Sequence, residues 1–303
     1  MRWGATCCDG ICLPAKCAAC ALHTRGMPAS LAISIGNIPP AGGKILSHLP
    51  GKVGTALGMS GLISLNQKKQ KEMLECVDKF VVLTQWAFEA VINNGAPRDK
   101  IILNRLGHSQ TSVAPKPMPR LRPTTLPIKI GYFGRFESVK GVLDLAKAAA
   151  SLPRNLPAHV EFRGPIKSEI EYRLVEELKS LLGDDPRFTF APAVSKDEAS
   201  EVLAKYDILC CPSICIEGGP TVALEAHLVG TPVIGSRIGG LAEIVTDGVN
   251  GRLVPPGDWR ALAEVIKQMT LNPAGTIDRW RLALPVARTM DEVTSDYLSL
   301  YVS

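Results

Sequence analysis

Aromatic residues are scarce: Phe, Trp and Tyr together make up 5% of the 303 residues. Proteins that hold single-stranded nucleic acid stack successive bases on aromatic side chains, so the composition argues against a nucleic-acid partner. Long apolar runs are missing too. Residues 53–67 carry no charge, but glycine and serine interrupt them, and they fall short of the roughly 20 apolar residues a spanning helix needs. A clean secretion leader is also lacking. Asp9 and Lys16 break any apolar core near the start, and no small-residue cleavage site follows one. The expected location is therefore the cytoplasm, with the inner face of a membrane as a variant. No strand-like segment is followed by G-x-G-x-x-G, which counts against a nicotinamide-dependent dehydrogenase. Charge of one sign is in only slight excess, at +5 with an isoelectric point near 8.7. That balance fits a protein that handles phosphates or rests on anionic lipid, and equally fits ordinary solubility.

What is present is enough for two packed domains. Hydrophobic residues make up 46% and charged residues 21%, a globular composition. At roughly 100–200 residues per domain, the length predicts two. Nine cysteines stand out, five of them between Cys7 and Cys20. Without a leader, a disulfide framework is a poor expectation. The spacing of Cys8, Cys12, Cys17 and Cys20 is compatible with structural zinc, although zinc ligands usually come as two tight pairs. Buried or redox-active thiols are the alternative. Cys210, Cys211 and Cys215 lie on or just after an apolar run and read as small buried hydrophobes.

Periodicity divides the chain. Residues 26–61 are rich in Gly, Pro and Ser and read as loops and short helices. From Leu65 a polar helix, the run KFVVLT, a helix closed by Gly95 and the run KIILNRLG give strand, helix, strand, a βαβ unit. Residues 108–127 hold five prolines and read as a linker. Beyond it, five short apolar strands alternate with helices, which predicts a parallel, doubly wound sheet. Ser195 and Glu198 form a capping box. Pro220 suits the first position of a helix that Gly230 would end. Asp258 caps the last helix of the series.

Three segments at strand ends carry the chemistry. SICIEGGPTVALEA, residues 213–226, joins a strand to a helix. Gly218 and Gly219 let a ligand approach the backbone, and the helix start offers free N–H groups and a positive dipole end, an anion site suited to a diphosphate. Glu217, on the loop, can grip sugar hydroxyls or stabilise positive charge on a ring. Glu225, on the helix, can accept from ribose hydroxyls. Residues 131–141, GYFGRFESVKG, end a strand at Gly134 and then present Arg135 and Lys140, two cations able to neutralise phosphates. In the third, residues 235–258, Gly239 and Gly240 precede a short helix and allow close backbone approach to a ligand. The pairs Asp247-Gly248 and Asn250-Gly251 read as tight turns. For each segment the plainer reading is turn chemistry and solvated charge.

Together these segments resemble the donor-binding half of the retaining glycosyltransferases of family 4. The resemblance runs from about residue 76 to the end, and Glu217 to Glu225 is similar to that family's E-x7-E motif. It implies an α/β chain of the GT-B type, with two Rossmann-like doubly wound domains. It implies that Glu217 contacts the donor sugar, Glu225 the ribose, and Arg135 and Lys140 the diphosphate. Gly134, Gly218, Gly219, Pro220 and Thr221 would line the sugar-phosphate pocket, with no catalytic metal. The expected domains are 1–115, a partial acceptor-side domain with a Cys-rich start; 116–288, the nucleotide-sugar domain; and 289–303, a helix crossing back. The chain departs from the family pattern at its start, which reads as lying inside the first domain, so that domain is expected to be incomplete. His23, His48 and His108 match no family catalytic histidine. The expected partners are a nucleoside-diphosphate-sugar and a saccharide or lipid-linked acceptor, in polysaccharide or glycolipid assembly. Peripheral membrane contact through residues 31–65 is a further expectation. The alternatives are an inactive nucleotide-sugar-binding module and a sugar-nucleotide epimerase.

Overall fold

A computed structural model describes residues 3, 7–108 and 124–302. Two compact units divide at Asn104 and Arg105. The expected boundary at residue 115, and most of the expected linker, lie outside the described residues.

The first unit is more helical than its composition predicts. Helices α1 (Pro14–His23), α2 (Ala29–Gly36), α3 (Pro40–Leu46), α4 (Gly51–Leu57) and α5 (Met59–Cys76) precede strand β1 (Phe80–Val82), helix α6 (Gln85–Asn93) and strand β2 (Ile101–Leu103). The Cys-rich start becomes α1 because PAKCAACALH is rich in alanine, the best helix former, and places Pro14 in the first turn. The glycines serve close packing. A Cβ on Gly36 would lie 2.7 Å from the Ala19 nitrogen on α1, and one on Gly61 would lie 2.6 Å from the Lys44 nitrogen on α3. Helix α5 begins at Met59, six residues before the expected start. Strands β1 and β2 pair in parallel, Phe80 opposite Ile101, as a βαβ unit requires. Leu74, Val82, Ala96 and Ile101 form its small core.

The second unit carries a six-stranded parallel sheet. In chain order it contains β3 (Ile128–Phe133), α7 (Val142–Ala150), β4 (Ala158–Arg163), α8 (Glu169–Leu182), β5 (Phe188–Ala191), α9 (Lys196–Lys205), β6 (Ile208–Cys211), α10 (Thr221–Leu228), β7 (Val233–Ser236), α11 (Leu241–Ile244), β8 (Gly251–Val254), α12 (Trp259–Leu271), α13 (Arg279–Leu282) and α14 (Met290–Val302). The strand order is β5-β4-β3-β6-β7-β8. That is the Rossmann order, with its reversal between β3 and β6.

Five strands were expected and six are seen. The sixth, β8, grows directly out of the Asn250-Gly251 turn: Val233 pairs with Gly251, and Asp247 accepts from the Leu253 N–H at 3.0 Å. Alternation along β6 builds both faces. Ile208 and Cys210 join one core with α7, α8 and α12, while Leu209 and Cys211 join another with α9, α10 and α11.

Local signals hold where they rest on hydrogen bonds. The capping box of Ser195 and Glu198 is formed, Asp258 accepts from the Ala261 N–H, and Gly183 ends α8 at positive φ. Gly230, at φ 80°, closes α10, with its N–H donating to His227 and the Thr231 N–H to Ala226, a Schellman motif. Pro220 sits one position earlier than expected, at the N-cap, and α10 starts at Thr221. A buried network ties the C-terminal part to the sheet. Arg281 donates to Asp207 at 3.0 Å, to Asp278 at 2.6 Å and to the Thr124 hydroxyl at 2.5 Å. Helix α14 belongs to this second unit, next to a bridge between His108 and Thr289.

Candidate active site

The loops after β3 and β6 leave the sheet at its reversal point, where a doubly wound sheet opens a crevice beyond its carboxyl ends. The crevice is a cavity of about 290 Å³. From the β3 side it is lined by Tyr132, Phe133, Gly134, Arg135 and Lys140. From the β6 side it is lined by residues 210–213, Glu217, Pro220, Thr221, Val222 and Glu225. Arg135, Lys140, Glu217 and Glu225, singled out from two separate stretches of sequence, therefore face one space.

Backbone contacts hold the two loops against each other. The Ile214 N–H donates to the Val139 carbonyl at 2.9 Å. Gly141 has a left-handed φ of 68°, and a Cβ there would stand 1.8 Å from the Pro212 carbonyl oxygen, so only glycine fits. Gly134 is fixed from behind: its N–H donates to the Arg163 carbonyl, and the buried Tyr132 hydroxyl donates to the Arg135 carbonyl at 2.5 Å.

The charges are arranged in pairs. Lys140 Nζ lies 2.7 Å from Glu217 Oε2, both side chains being half-buried. Arg135 Nη1 lies 2.6 Å from Glu137 Oε1 at the more exposed edge. The Glu217 backbone is anchored separately, its carbonyl accepting from the Gly240 N–H at 3.0 Å. Gly239 approaches the backbone of Glu217 closely: a Cβ there would lie 3.0 Å from the Glu217 oxygen.

Helix α10 starts at the cavity wall with no side chain capping it. The Ala223 N–H donates to the Pro220 carbonyl at 3.0 Å, which leaves Thr221 and Val222 at the helix start, where the positive end of the dipole meets the cavity. One turn further, burial pushes the Glu225 carboxyl above its ordinary range, with Lys196 pulling it partly back. Burial also holds the Cys211 thiol up, to about 12, and the Cys210 thiol well above its usual value. Both stay protonated and are poor nucleophiles. Cys215 is half-buried, short of the full burial expected for it. The arrangement is suited to a ligand with a polyanionic group at the α10 start and the two cations, and hydroxyls within reach of Glu217 and Glu225.

Gly218 and Gly219 lie between the lining residues Glu217 and Pro220. Gly218 is exposed, and Gly219, at φ 123°, lies beside Leu106. Conversely, Tyr132, Phe133, Ser213 and Val222 line the cavity and were not singled out. Their one signal was position at the carboxyl end of a strand or the start of a helix. Among the described residues no group of three or more His, Cys, Asp or Glu is placed to hold a metal ion. Cys8, Cys12, Cys17 and Cys20 thus do not meet as a ligand set. Cys17 and Cys20 lie on α1, and Cys20 Sγ accepts from the Trp3 N–H.

Residues 119–282 match the family described as glycosyl transferases group 1, 164 of 303 residues and so more than half of the chain. The chain belongs to this family. Among curated relatives, D-inositol 3-phosphate glycosyltransferase of Arthrobacter sp. (strain FB24) is 33% identical over 208 residues, which cover 65% of this chain and 48% of that protein. The 2-deoxystreptamine glucosyltransferase of Streptomyces kanamyceticus is 32% identical over 155 residues, 50% of this chain and 38% of that one. The chain thus spans about half the length, or less, of these relatives. Among solved structures, HepE of Anabaena in complex with UDP and glucose aligns with a TM-score of 0.62 at 20% identity, over 78% of this chain and 67% of that one. Sucrose-phosphate synthase of Thermosynechococcus elongatus aligns with a TM-score of 0.64 at 25% identity, over 78% and 61%. The fold is the α/β, parallel-sheet architecture of GT-B glycosyltransferases.

Proposed function

We propose that this group 1 chain binds a nucleoside-diphosphate-sugar in the cavity between β3 and β6. There it transfers the sugar to a saccharide or lipid-linked acceptor with retained anomeric configuration, as in family 4. One observation carries the reading: Arg135, Lys140, Glu217, Glu225 and the uncapped start of α10 share a single cavity at the sheet's reversal point.

In this reading the diphosphate lies against the first turn of α10, with Arg135 and Lys140 beside it. The bond between the anomeric carbon and the diphosphate oxygen breaks, and that oxygen takes the electron pair. The acceptor hydroxyl forms the new bond on the same face, and its proton passes to the departing phosphate. Negative charge grows next to the two cations and the helix dipole; positive charge grows on the sugar ring next to Glu217. Groups fixed in advance where charge develops are the largest single source of enzymatic rate in many cases. Glu225 receives the ribose hydroxyls.

Isothermal titration calorimetry with a panel of UDP- and GDP-sugars, followed by product analysis with saccharide acceptors, tests the proposal. Binding of one donor with transfer to an acceptor is the expected result. Absence of binding to every donor overturns it. Binding without transfer or hydrolysis would leave a nucleotide-sugar-binding module, and donor conversion without an acceptor would mark an epimerase.

A further inference from the structure

A second cavity lies wholly within the first unit. It measures about 450 Å³, inside the range of about 300–1,000 Å³ that small-molecule sites occupy. Helix α5 supplies one wall, with Ser64, Gln67, Lys68 and Lys71 spaced three or four residues apart on one face. Another wall is the stretch 10–13, strapped in place from two helices. The Gln67 side-chain amide donates to the Cys12 carbonyl at 2.7 Å. The Asn94 side chain accepts from the Cys12 N–H at 2.7 Å and donates to the Gly10 carbonyl at 2.6 Å. Gln70 and Asn93 line the space with further hydrogen-bonding groups. The lining holds two lysines and no carboxylate. Lys68 is held only loosely, 3.8 Å from Glu72, whose carboxylate Lys69 takes at 2.8 Å. Lys71 makes no ion pair among the described residues.

We infer that this cavity binds a monosaccharide phosphate. Lys68 and Lys71 stand one helical turn apart, where like charges repel unless an anion lies between them. A phosphate monoester carries about two negative charges at neutral pH and balances both ammonium groups, which a single carboxylate does not. Side-chain amides and a serine hydroxyl both donate and accept, which is what the hydroxyls of a sugar ring require. The place is not the sheet-end site of a doubly wound unit, where ligands sit beyond the carboxyl ends of the strands. Helix α6 leaves the carboxyl end of β1 and runs back to Asn93, shortly before β2 begins, so the cavity between α5 and the end of α6 lies toward the amino ends of the two parallel strands. The inference is therefore independent of the donor reading, and it does not describe an acceptor held at the strand ends.

The test is calorimetric titration of the full chain with glucose 6-phosphate, glucose and inorganic phosphate. Glucose 6-phosphate should bind, and more tightly than inorganic phosphate, whereas glucose should not bind. The double variant Lys68→Gln/Lys71→Gln should weaken that binding about tenfold, the scale of two exposed charge contacts, with an unchanged melting curve. Ser64→Leu, which narrows the space and touches no charge, should weaken it as well while keeping its circular dichroism spectrum. Lys140→Met, in the other unit, should leave it as it is. No binding of glucose 6-phosphate overturns the inference, and so does binding that the lysine variant keeps in full. Binding indifferent to Ser64→Leu would place the ligand on the open surface and overturn the cavity. Binding lost in Lys140→Met would place the phosphate in the donor cavity and overturn the second site. Inorganic phosphate binding as tightly as the sugar phosphate would overturn the saccharide and leave a plain anion site.

Discussion

Lys140 and Glu217 stand 77 residues apart in the chain and 2.7 Å apart in the fold, one from the loop after β3 and the other from the loop after β6. Both residues line the cavity. Each charge is the other's partner, so the two loops are joined by a side-chain ion pair as well as through their backbones.

Removing the cation tests this coupling. Lys140→Met should lower donor turnover by about 10²–10³-fold, the usual effect of deleting one preorganised charge-stabilising group. Glu217→Gln should lower turnover and also lower the thermal midpoint slightly, since the amide keeps the carboxylate's shape but leaves the Lys140 ammonium without its counter-charge. Steady-state kinetics with the donor identified by calorimetry, beside thermal melts, would check both. A Lys140→Met variant with unchanged turnover would remove that residue from the site.

Two glycine substitutions separate backbone strain from collision. Gly257, at φ 77°, has no atom within 4 Å of an added Cβ, so Gly257→Ala should cost about 1–2 kcal/mol from the left-handed conformation alone. Gly141→Ala adds a clash with the Pro212 carbonyl and should cost clearly more, and it should weaken donor binding because it pries the two loops apart. Urea denaturation of the two variants measures the difference.

His227 on α10 predicts a pH dependence. It is buried with Nε2 unpartnered, and burial pulls its pKa down to about 4. The folded chain therefore resists protonation that the unfolded chain accepts near pH 6.5. Stability is at its full value above pH 6.5 and falls as the pH drops toward 4, by about 3 kcal/mol over that window. Replacing the ring by an apolar side chain, His227→Leu, should flatten this acid limb. Urea midpoints measured from pH 7.5 to 4.5 in both proteins would show it.

Arg281 holds Asp207 and Asp278 together at the base of the sheet. Arg281→Met leaves two carboxylates without their cation, one of them buried, and should cost about 3–5 kcal/mol. Equilibrium unfolding in urea, with no change in donor stoichiometry in the fraction that stays folded, is the expected outcome.

The sequence was most readable where local hydrogen bonding sets structure. The Ser195–Glu198 box and the Gly230 terminus carry their partners within a few residues. Strand β8 was hidden because it begins at a glycine inside a turn-rich stretch, and only pairing with β7 makes it a strand. Short helices were expected within residues 26–61, but their bounds were not legible, because glycine reads as loop, whereas at Gly36 on α2 and Gly61 on α5 it admits a neighbouring helix. In the site, Arg135, Lys140 and Glu217 were visible as charges in loops just past strand ends, and Glu225 by its spacing from Glu217. Tyr132 and Val222 look like core in sequence, and only the sheet's reversal turns them into walls.

The hydrogen bond from Ile214 to Val139 has a practical meaning for redesign. Residues 134–141 and 212–220 are laced into one object, with Gly141 seated on Pro212 like a tongue in a groove. Grafting either segment alone from a homologue would mismatch that seam; a chimera aimed at a new sugar preference must exchange the two as a set.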